Sequence, residues 1–178
     1  PREQPKKSKA HDLVIRSLPL LPEARLLIAG EGPEESRLRN IAGSLGVSGR
    51  VTFLGALSQD ELRPYYGAAD ALVLASSREG WANVLLEAMA CGTPVVASNV
   101  WGTPEVVAAR EAGILMEDRT PEAIADAVRR LLASSPDRAA TRRYAEGFSW
   151  EPTTAGQLLL FQRIVDSRRA ALAREPRS

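Results

Sequence analysis

Short apolar runs alternate with helix-patterned segments over residues 11–116, and this alternation constrains the fold more than any other feature of the sequence. The apolar runs are rich in Val, Ile and Leu, as buried strands are. The segments beside them place apolar residues at i, i+3 and i+4, as helices do. The predicted strands are 24–30, 50–55, 71–77, 93–98 and 112–116, and the predicted helices are 11–21, 33–46, 58–69, 83–92 and 103–110, the last with Thr103 as its N-cap.

Strands that alternate with helices predict a parallel sheet, because parallel neighbours need crossover connections. We therefore expect the α/β class: a doubly wound, Rossmann-like and mostly parallel sheet with helices on both faces. From residue 120 onward three helical patterns follow one another without a strand, and the first has Thr120 as N-cap and Pro121 at the first helical position. These patterns predict a helical C-terminal tail within one domain of residues 1–178.

Composition and charge exclude several functions. The 23 basic and 22 acidic residues give a net charge of +1, which provides no overall field to attract nucleic acid. The single Cys91 cannot form an internal disulfide, which is typical of a cytoplasmic protein. No apolar run approaches the roughly 20 residues of a membrane-spanning helix. With one histidine and one cysteine in the sequence, we expect no metal site of the His/Cys type.

Open α/β sheets bind ligands at the carboxyl ends of their strands, and the loop with the most informative pattern follows the strand 71–77. Asn83 is predicted as the N-cap of a short helix over residues 84–91. The free amides of Val84, Leu85 and Leu86, with the helix dipole, would then form a site for a phosphate or diphosphate. Gly80 and Ala82 let a ligand come close to the backbone.

Two carboxylates flank this predicted helix start. Glu79 precedes it and Glu87 lies one turn inside it. A carboxylate opposes an anion but accepts hydrogen bonds from hydroxyl groups beside it. A ligand with hydroxyls on both sides of two phosphates fits this pattern, and a nucleoside diphosphate sugar is such a ligand.

Two other enzyme classes fit the sequence less well. The loop GEGPEES at 30–36 has Glu35 at the third position of a G-x-G-x-x-G fingerprint, and no acidic residue follows at the spacing that a ribose of NAD requires. A strand-to-helix turn is the alternative, with glycines that also let a ligand approach. A glycoside hydrolase that uses Glu79 and Glu87 as its pair would have phosphate-binding amides where a neutral glycan lies.

The stretch from Glu79 to Ser98, EGWANVLLEAMACGTPVVAS, resembles the E-x7-E signature of the retaining GT-B glycosyltransferases called group 1 or family 4. Further segments resemble the nucleotide-binding half of that family in order: KAHDLVI, ARLLIAGEGPE, RVTFLG, LRPYYGAADALVLAS, GTPEVV, AGIL and FSWE. The resemblance implies one half of a GT-B architecture, namely its C-terminal, donor-binding domain. The N-terminal acceptor domain is expected to be absent from this chain.

The resemblance also implies roles for individual residues. Glu79 would contact the hydroxyls of the donor sugar, with further roles near its anomeric carbon, and Glu87 would hold the ribose hydroxyls. The sugar and diphosphate would be bound by backbone amides of one segment, and the nucleobase would be lined by one loop. The segment is Gly80, Trp81, Ala82, Asn83, Val84 and Leu85, and the loop is Gly55, Ala56 and Leu57.

The family has an Arg and a Lys that neutralise the diphosphate and stabilise the leaving group without a metal cofactor. Lys9 fits the position just before HDLVI, whereas Arg2 with Lys7 fits the usual separation of the two residues, so both lysines remain candidates. Trp101 stands where the family commonly has a glycine. We hypothesise that Trp81 and Trp101 line the sugar or acceptor pocket, with simple packing as the alternative.

The implied function is transfer of a sugar from a UDP- or GDP-sugar to a glycan or lipid acceptor, with retention, as in polysaccharide biosynthesis. The isolated domain is expected to bind the nucleotide but not to complete the transfer, and the full enzyme could associate peripherally with a membrane. A non-catalytic sugar-nucleotide-binding module is the alternative. His11 is assigned to capping or packing, Tyr65 and Tyr66 to packing, and Leu159, Phe161 and Ile164 to an exposed patch.

Overall fold

The computed structural model describes residues 9–148 and 150–172. All five predicted strands are present, each shorter than its apolar run. They are β1 (Leu26–Ala29), β2 (Val51–Gly55), β3 (Leu72–Leu74), β4 (Val95–Ser98) and β5 (Gly113–Met116). The helices are α1 (His11–Ser17), α2 (Glu35–Ser44), α3 (Gln59–Ala68), α4 (Asn83–Ala90), α5 (Thr103–Val106), α6 (Pro121–Ala133), α7 (Arg138–Glu146) and α8 (Trp150–Leu172).

Every ladder between these strands is parallel, as predicted, but the strands form two sheets. One sheet has the order β1-β2, with Leu26 opposite Val51, and the other has the order β3-β4-β5, with Val96 between Val73 and Ile114. Helix α1 connects the two sheets, because Val14 packs in a core with β4 and α6 while the adjacent Ile15 packs in the core of β1 and α2.

Helices cover both faces of the larger sheet. Val95 and Ala97 of β4 pack in one core with α4, whereas Val96 packs in another core with α1 and α6. Successive residues of a strand point to opposite faces, so these memberships place a helical layer on each side. The doubly wound α/β prediction is confirmed.

Two helix starts follow directly from local sequence. Thr120 caps α6 through a hydrogen bond that its side chain accepts from the amide of Ala123 at 3.1 Å. Ser58 and Glu61 form a reciprocal capping box at the start of α3. Both caps satisfy amides that have no partner within the helix.

The chain divides into two compact units, one up to Ala145 and one from Glu146. Helix α8 lies in the second unit and exposes an apolar row that includes the predicted Leu159, Phe161 and Ile164. In the part of the chain that the structure describes, no helix is both long enough and apolar enough to cross a bilayer.

Candidate functional site

The carboxyl end of β3 leads through a turn into the N-terminus of α4, and the turn and the helix together hold most of the predicted site residues. Glu79 lies in the turn and Glu87 lies in α4, and both are half-buried. Ala75 and Ser76, which follow β3, are 1% exposed. The turn is therefore anchored in the core at its start, and Glu79 follows in its partly exposed portion.

Glu79 is held by a buried hydroxyl. Ser76 Oγ donates to Glu79 Oε1 at 2.6 Å. A short hydrogen bond to a carboxylate is among the stronger ones and fixes the position of the group. Among the described residues, the hydrogen bond to Glu79 is made at Oε1.

Glu87 is held by a phenol. Tyr66 Oη donates to Glu87 Oε2 at 3.2 Å. Burial, and then the negative charge of Glu87, raise the pKa of Tyr66 to about 12, so its hydroxyl remains a donor at neutral pH. The sequence assigned Tyr66 to packing, and its polar role follows only from the packing of α3 beside α4.

The start of α4 differs from the prediction. Ala82 is the N-cap and has no side-chain cap, whereas Asn83 is the first helical residue. The amide of Asn83 donates to Trp81 O at 3.1 Å and that of Leu85 to Ala82 O at 3.0 Å. The expectation that Asn83 caps the helix and that the Leu85 amide is free is therefore wrong, because the chain tightens into an i→i−3 turn there. In the part of the chain that the structure describes, the backbone amides of Val84 and Leu86 donate no hydrogen bond to a group outside α4.

An arginine that the sequence analysis missed supports the same turn. Arg119, in the loop after β5, donates from Nε to Ala75 O at 3.0 Å. Its side chain thus crosses the carboxyl end of β4, which lies between β3 and β5. A guanidinium beside this turn adds positive charge to an edge that also carries two carboxylates.

The predicted nucleobase loop is held by a second missed residue, Glu31. The amide of Gly30 donates to Gly55 O at 2.7 Å, and that of Ala56 donates to Glu31 Oε1 at 3.4 Å. These bonds join the GEGPEES turn to the loop of Gly55, Ala56 and Leu57. The two glycines adopt φ values of 114° and 71°, which side chains disfavour.

Two tryptophans are exposed in or near the turn between β3 and α4. Trp81 is 49% exposed and Trp101 is 65% exposed. The guanidinium of Arg78 lies 4.4 Å from the Trp101 ring centroid, a cation–π contact. Trp101 has a φ of 50°, in the left-handed region that a non-glycine residue rarely adopts.

The residue pair after Trp101 corrects another prediction. Thr103 was assigned as the N-cap of the next helix, but Gly102 is the N-cap and Thr103 is the first residue of α5. Thr103 is 1% exposed, and its Oγ1 has no hydrogen-bond partner in the described part of the chain. Burial against the core, rather than capping, determines where this side chain points.

Of the predicted diphosphate cations, only Lys9 lies within the described residues; Arg2 and Lys7 lie outside them. Lys9 is exposed just before α1. Burial, and then the charge of Lys9, lower the pKa of the nearby His11. Within residues 9–148 and 150–172, no group of three or more His, Cys, Asp or Glu residues could hold a metal ion.

Comparisons with known proteins agree on one family. The family described as "Glycosyl transferases group 1" matches residues 4–148. A D-inositol 3-phosphate glycosyltransferase of Mycobacteroides abscessus is 39% identical over 171 residues, which is 91% of this chain and 38% of the relative. The chain thus spans well under half the length of the curated relatives it matches.

Solved structures agree with the fold. Sucrose-phosphate synthase from Thermosynechococcus elongatus superposes with a TM-score of 0.75 at 29% identity, over 89% of this chain and 43% of that structure. Anabaena HepE, solved in complex with UDP and glucose, superposes with a TM-score of 0.69 at 22% identity, over 91% of this chain and 45% of that structure.

Proposed function

Because this chain belongs to the glycosyl transferases group 1 family, we propose that it binds the nucleoside diphosphate sugar donor of a retaining glycosyltransferase. The observation that carries the proposal is the arrangement around α4. Glu79 and Glu87 lie on either side of the helix start, and a neighbouring side chain holds one oxygen of each. In this proposal the diphosphate lies at the helix start between them.

Each carboxylate has a separate task in the proposal. Glu79 accepts hydrogen bonds from hydroxyls of the donor sugar, and Glu87 accepts them from the ribose. The backbone of Gly80, Trp81 and Ala82 contacts the sugar, while the helix start contacts the phosphates. The loop of Gly55, Ala56 and Leu57 lines the base.

Glycosyl transfer leaves a nucleoside diphosphate that gains negative charge as the bond to the anomeric carbon breaks. Groups that are already aimed at that charge lower the barrier. We propose that Lys9, or Arg2 with Lys7, supplies this stabilisation together with the α4 amides. No metal cofactor is required by this assignment.

The acceptor and its domain lie outside these residues in the proposal. The curated relatives are named for D-inositol 3-phosphate, so this compound is the first acceptor to test, before glycans and lipids. UDP is the first nucleotide to test, because a protein with the same fold was solved with it, and GDP is the second. A cytoplasmic location, with peripheral membrane association of the full enzyme, belongs to the same proposal.

The decisive experiment is a thermal-shift panel of UDP, GDP, ADP and NAD, followed by the sugar conjugates of the nucleotide that binds. We expect UDP or GDP to raise the melting temperature and Glu87→Gln to weaken that nucleotide about 10- to 100-fold, the range for a hydrogen bond to a charged group. Glu122→Gln, an exposed acid on α6, is the matched control. Equal binding by Glu87→Gln, or a preference for NAD, would contradict the proposal.

Turnover separates the transferase from a non-catalytic module. In the longer protein that contains this chain, we expect Glu79→Gln to reduce sugar transfer more than nucleotide affinity, because Glu79 is assigned to the sugar. A longer protein that binds a sugar nucleotide but transfers nothing to any acceptor would favour the module.

A further inference from the structure

Arg138, the first residue of α7, holds the C-terminal end of α3. Its Nη1 donates to Ala69 O at 2.8 Å, and its Nη2 donates to Gly67 O at 2.6 Å. Carbonyls at a helix C-terminus lack partners within the helix and carry partial negative charge. A guanidinium there donates hydrogen bonds to them and also offsets that charge. These bonds join segments that lie about 70 residues apart in the sequence.

The same guanidinium also reaches the segment before β4. Nη2 of Arg138 donates to Thr93 Oγ1 at 3.0 Å, and Thr93 Oγ1 in turn donates to the backbone oxygen of Tyr66. Gly92, with a φ of 80°, packs so closely that a Cβ there would lie 3.1 Å from Arg138 O. Arg138 is thus fixed against both the end of α3 and the lead into β4.

Tyr66 connects this cluster to the proposed site. Thr93 fixes its backbone, and its phenol donates to Glu87 Oε2 at 3.2 Å. Oε2 of Glu87 thereby has a donor among the described residues, and the proposed function assigns Oε1 to the ribose. The direction of the carboxylate depends on where α3 places the phenol.

We infer that Arg138 is a positioning residue that acts through Thr93 and Tyr66 to aim Glu87 at the ribose hydroxyls. The inference rests on the proposed function, since it assigns a purpose to the residue that supports Glu87. Arg138 itself contacts backbone oxygens and one hydroxyl, and no described ion pair occupies it. Since Arg138 reaches the ligand only through Glu87 in this inference, its substitution should affect only the part of the ligand that Glu87 contacts.

The test compares two ligands that differ only in the ribose hydroxyls. The dissociation constants of UDP or GDP, whichever the thermal-shift panel selects, and of its 2′,3′-dideoxy derivative are measured calorimetrically. For Arg138→Gln we expect an affinity about 5-fold lower for the natural nucleotide, the equivalent of one hydrogen bond, and an unchanged affinity for the dideoxy derivative. Arg143→Gln, an exposed arginine on the same helix paired with Asp137, is the matched control.

Tyr66→Phe provides a second route, because it removes only the phenol oxygen. We expect it to reproduce the loss for the natural nucleotide alone, and we expect Arg138→Gln to add nothing further in that background. Arg138→Lys keeps the charge but not the fork of donors, so it should rescue little. If Arg138→Gln does not fold, Tyr66→Phe and Arg138→Lys carry the test.

Two failures are distinguishable. Equal affinity of the unmodified protein for the natural and dideoxy nucleotides would overturn the ribose role of Glu87, and the inference with it. Discrimination in the unmodified protein, with Arg138→Gln and Tyr66→Phe weakening both ligands equally or neither, would overturn only the positioning role.

Discussion

Gly102 packs its Cα against the backbone of Gly80, so that a Cβ built on Gly102 would lie 2.1 Å from Gly80 O. The loop after β4 therefore presses directly on the turn between β3 and α4. The two residues stand 22 positions apart in the sequence, and their contact couples the tryptophan-bearing loop to the proposed donor site.

Gly102→Ala tests this contact. The added methyl must displace the Gly80 carbonyl by about 1 Å, and we expect nucleotide-sugar affinity to fall about 10-fold, because such a shift breaks hydrogen bonds worth about 1 kcal/mol each. Calorimetry on the folded variant measures the change. Gly43→Ala, where a Cβ meets only Ser48 Oγ at 3.8 Å, is the control and should leave affinity unchanged. Equal binding by Gly102→Ala would contradict the coupling.

Gly113→Ala should damage the whole fold. A Cβ at Gly113 would lie 1.9 Å from Val95 O, and its φ of 146° adds strain. We expect a loss of more than about 4 kcal/mol in the free energy of unfolding, measured with urea. Gly46→Ala, with a φ of 68° but open space around it, should lose only about 1–2 kcal/mol. Similar losses in the two variants would show that strain, and not the clash, dominates.

Tyr66 should titrate near pH 12. A difference in tyrosinate absorbance between the unmodified protein and Tyr66→Phe isolates this phenol. Glu87→Gln should lower its pKa only partway toward 10, because burial is the larger cause and remains. Since the pKa is raised on folding, the stabilisation is complete below about pH 10 and is lost as the pH rises through about 12. An unchanged pKa in Glu87→Gln would contradict the contact.

His11, the single histidine, can report which lysine meets the diphosphate. The charge of Lys9 helps to lower the pKa of His11. An anion bound at Lys9 would offset that charge, so we expect saturating nucleotide to raise the pKa of His11 in an NMR titration. Lys9→Gln should raise it without nucleotide and abolish the further rise. A pKa that nucleotide does not move would favour Lys7 instead.

Trp101→Gly tests the aromatic pocket. The substitution relieves a φ of 50° but removes the contact with Arg78, and the two effects, each about 1 kcal/mol, should nearly cancel in stability. We expect the affinity for a sugar nucleotide to fall while that for the bare nucleotide holds. Trp81→Ala provides the parallel measurement. Unchanged affinity for both ligands in both variants would leave simple packing as their role.

The candidate site was partly predictable. Glu79 and Glu87 lie on either side of a helix start, and this follows from local sequence. The helix-forming residues between them mark where the helix begins. The exact cap did not, since Ala82 rather than Asn83 occupies it. A cap depends on how the preceding turn enters the helix, and this turn includes the tertiary-packed Ser76 and its bond to Glu79, which helix propensity does not describe.

By itself the sequence determined the alternation of strands and helices, the cap at Thr120 and the spacing of the two acids. These features depend on periodicity and on hydrogen bonds between residues three or four positions apart, so the local order of residues is enough to predict them. Only the tertiary structure decided that Tyr66 holds Glu87 and that Arg119 reaches Ala75. Such bonds join residues 21 and 44 positions apart, and only core packing brings them within reach.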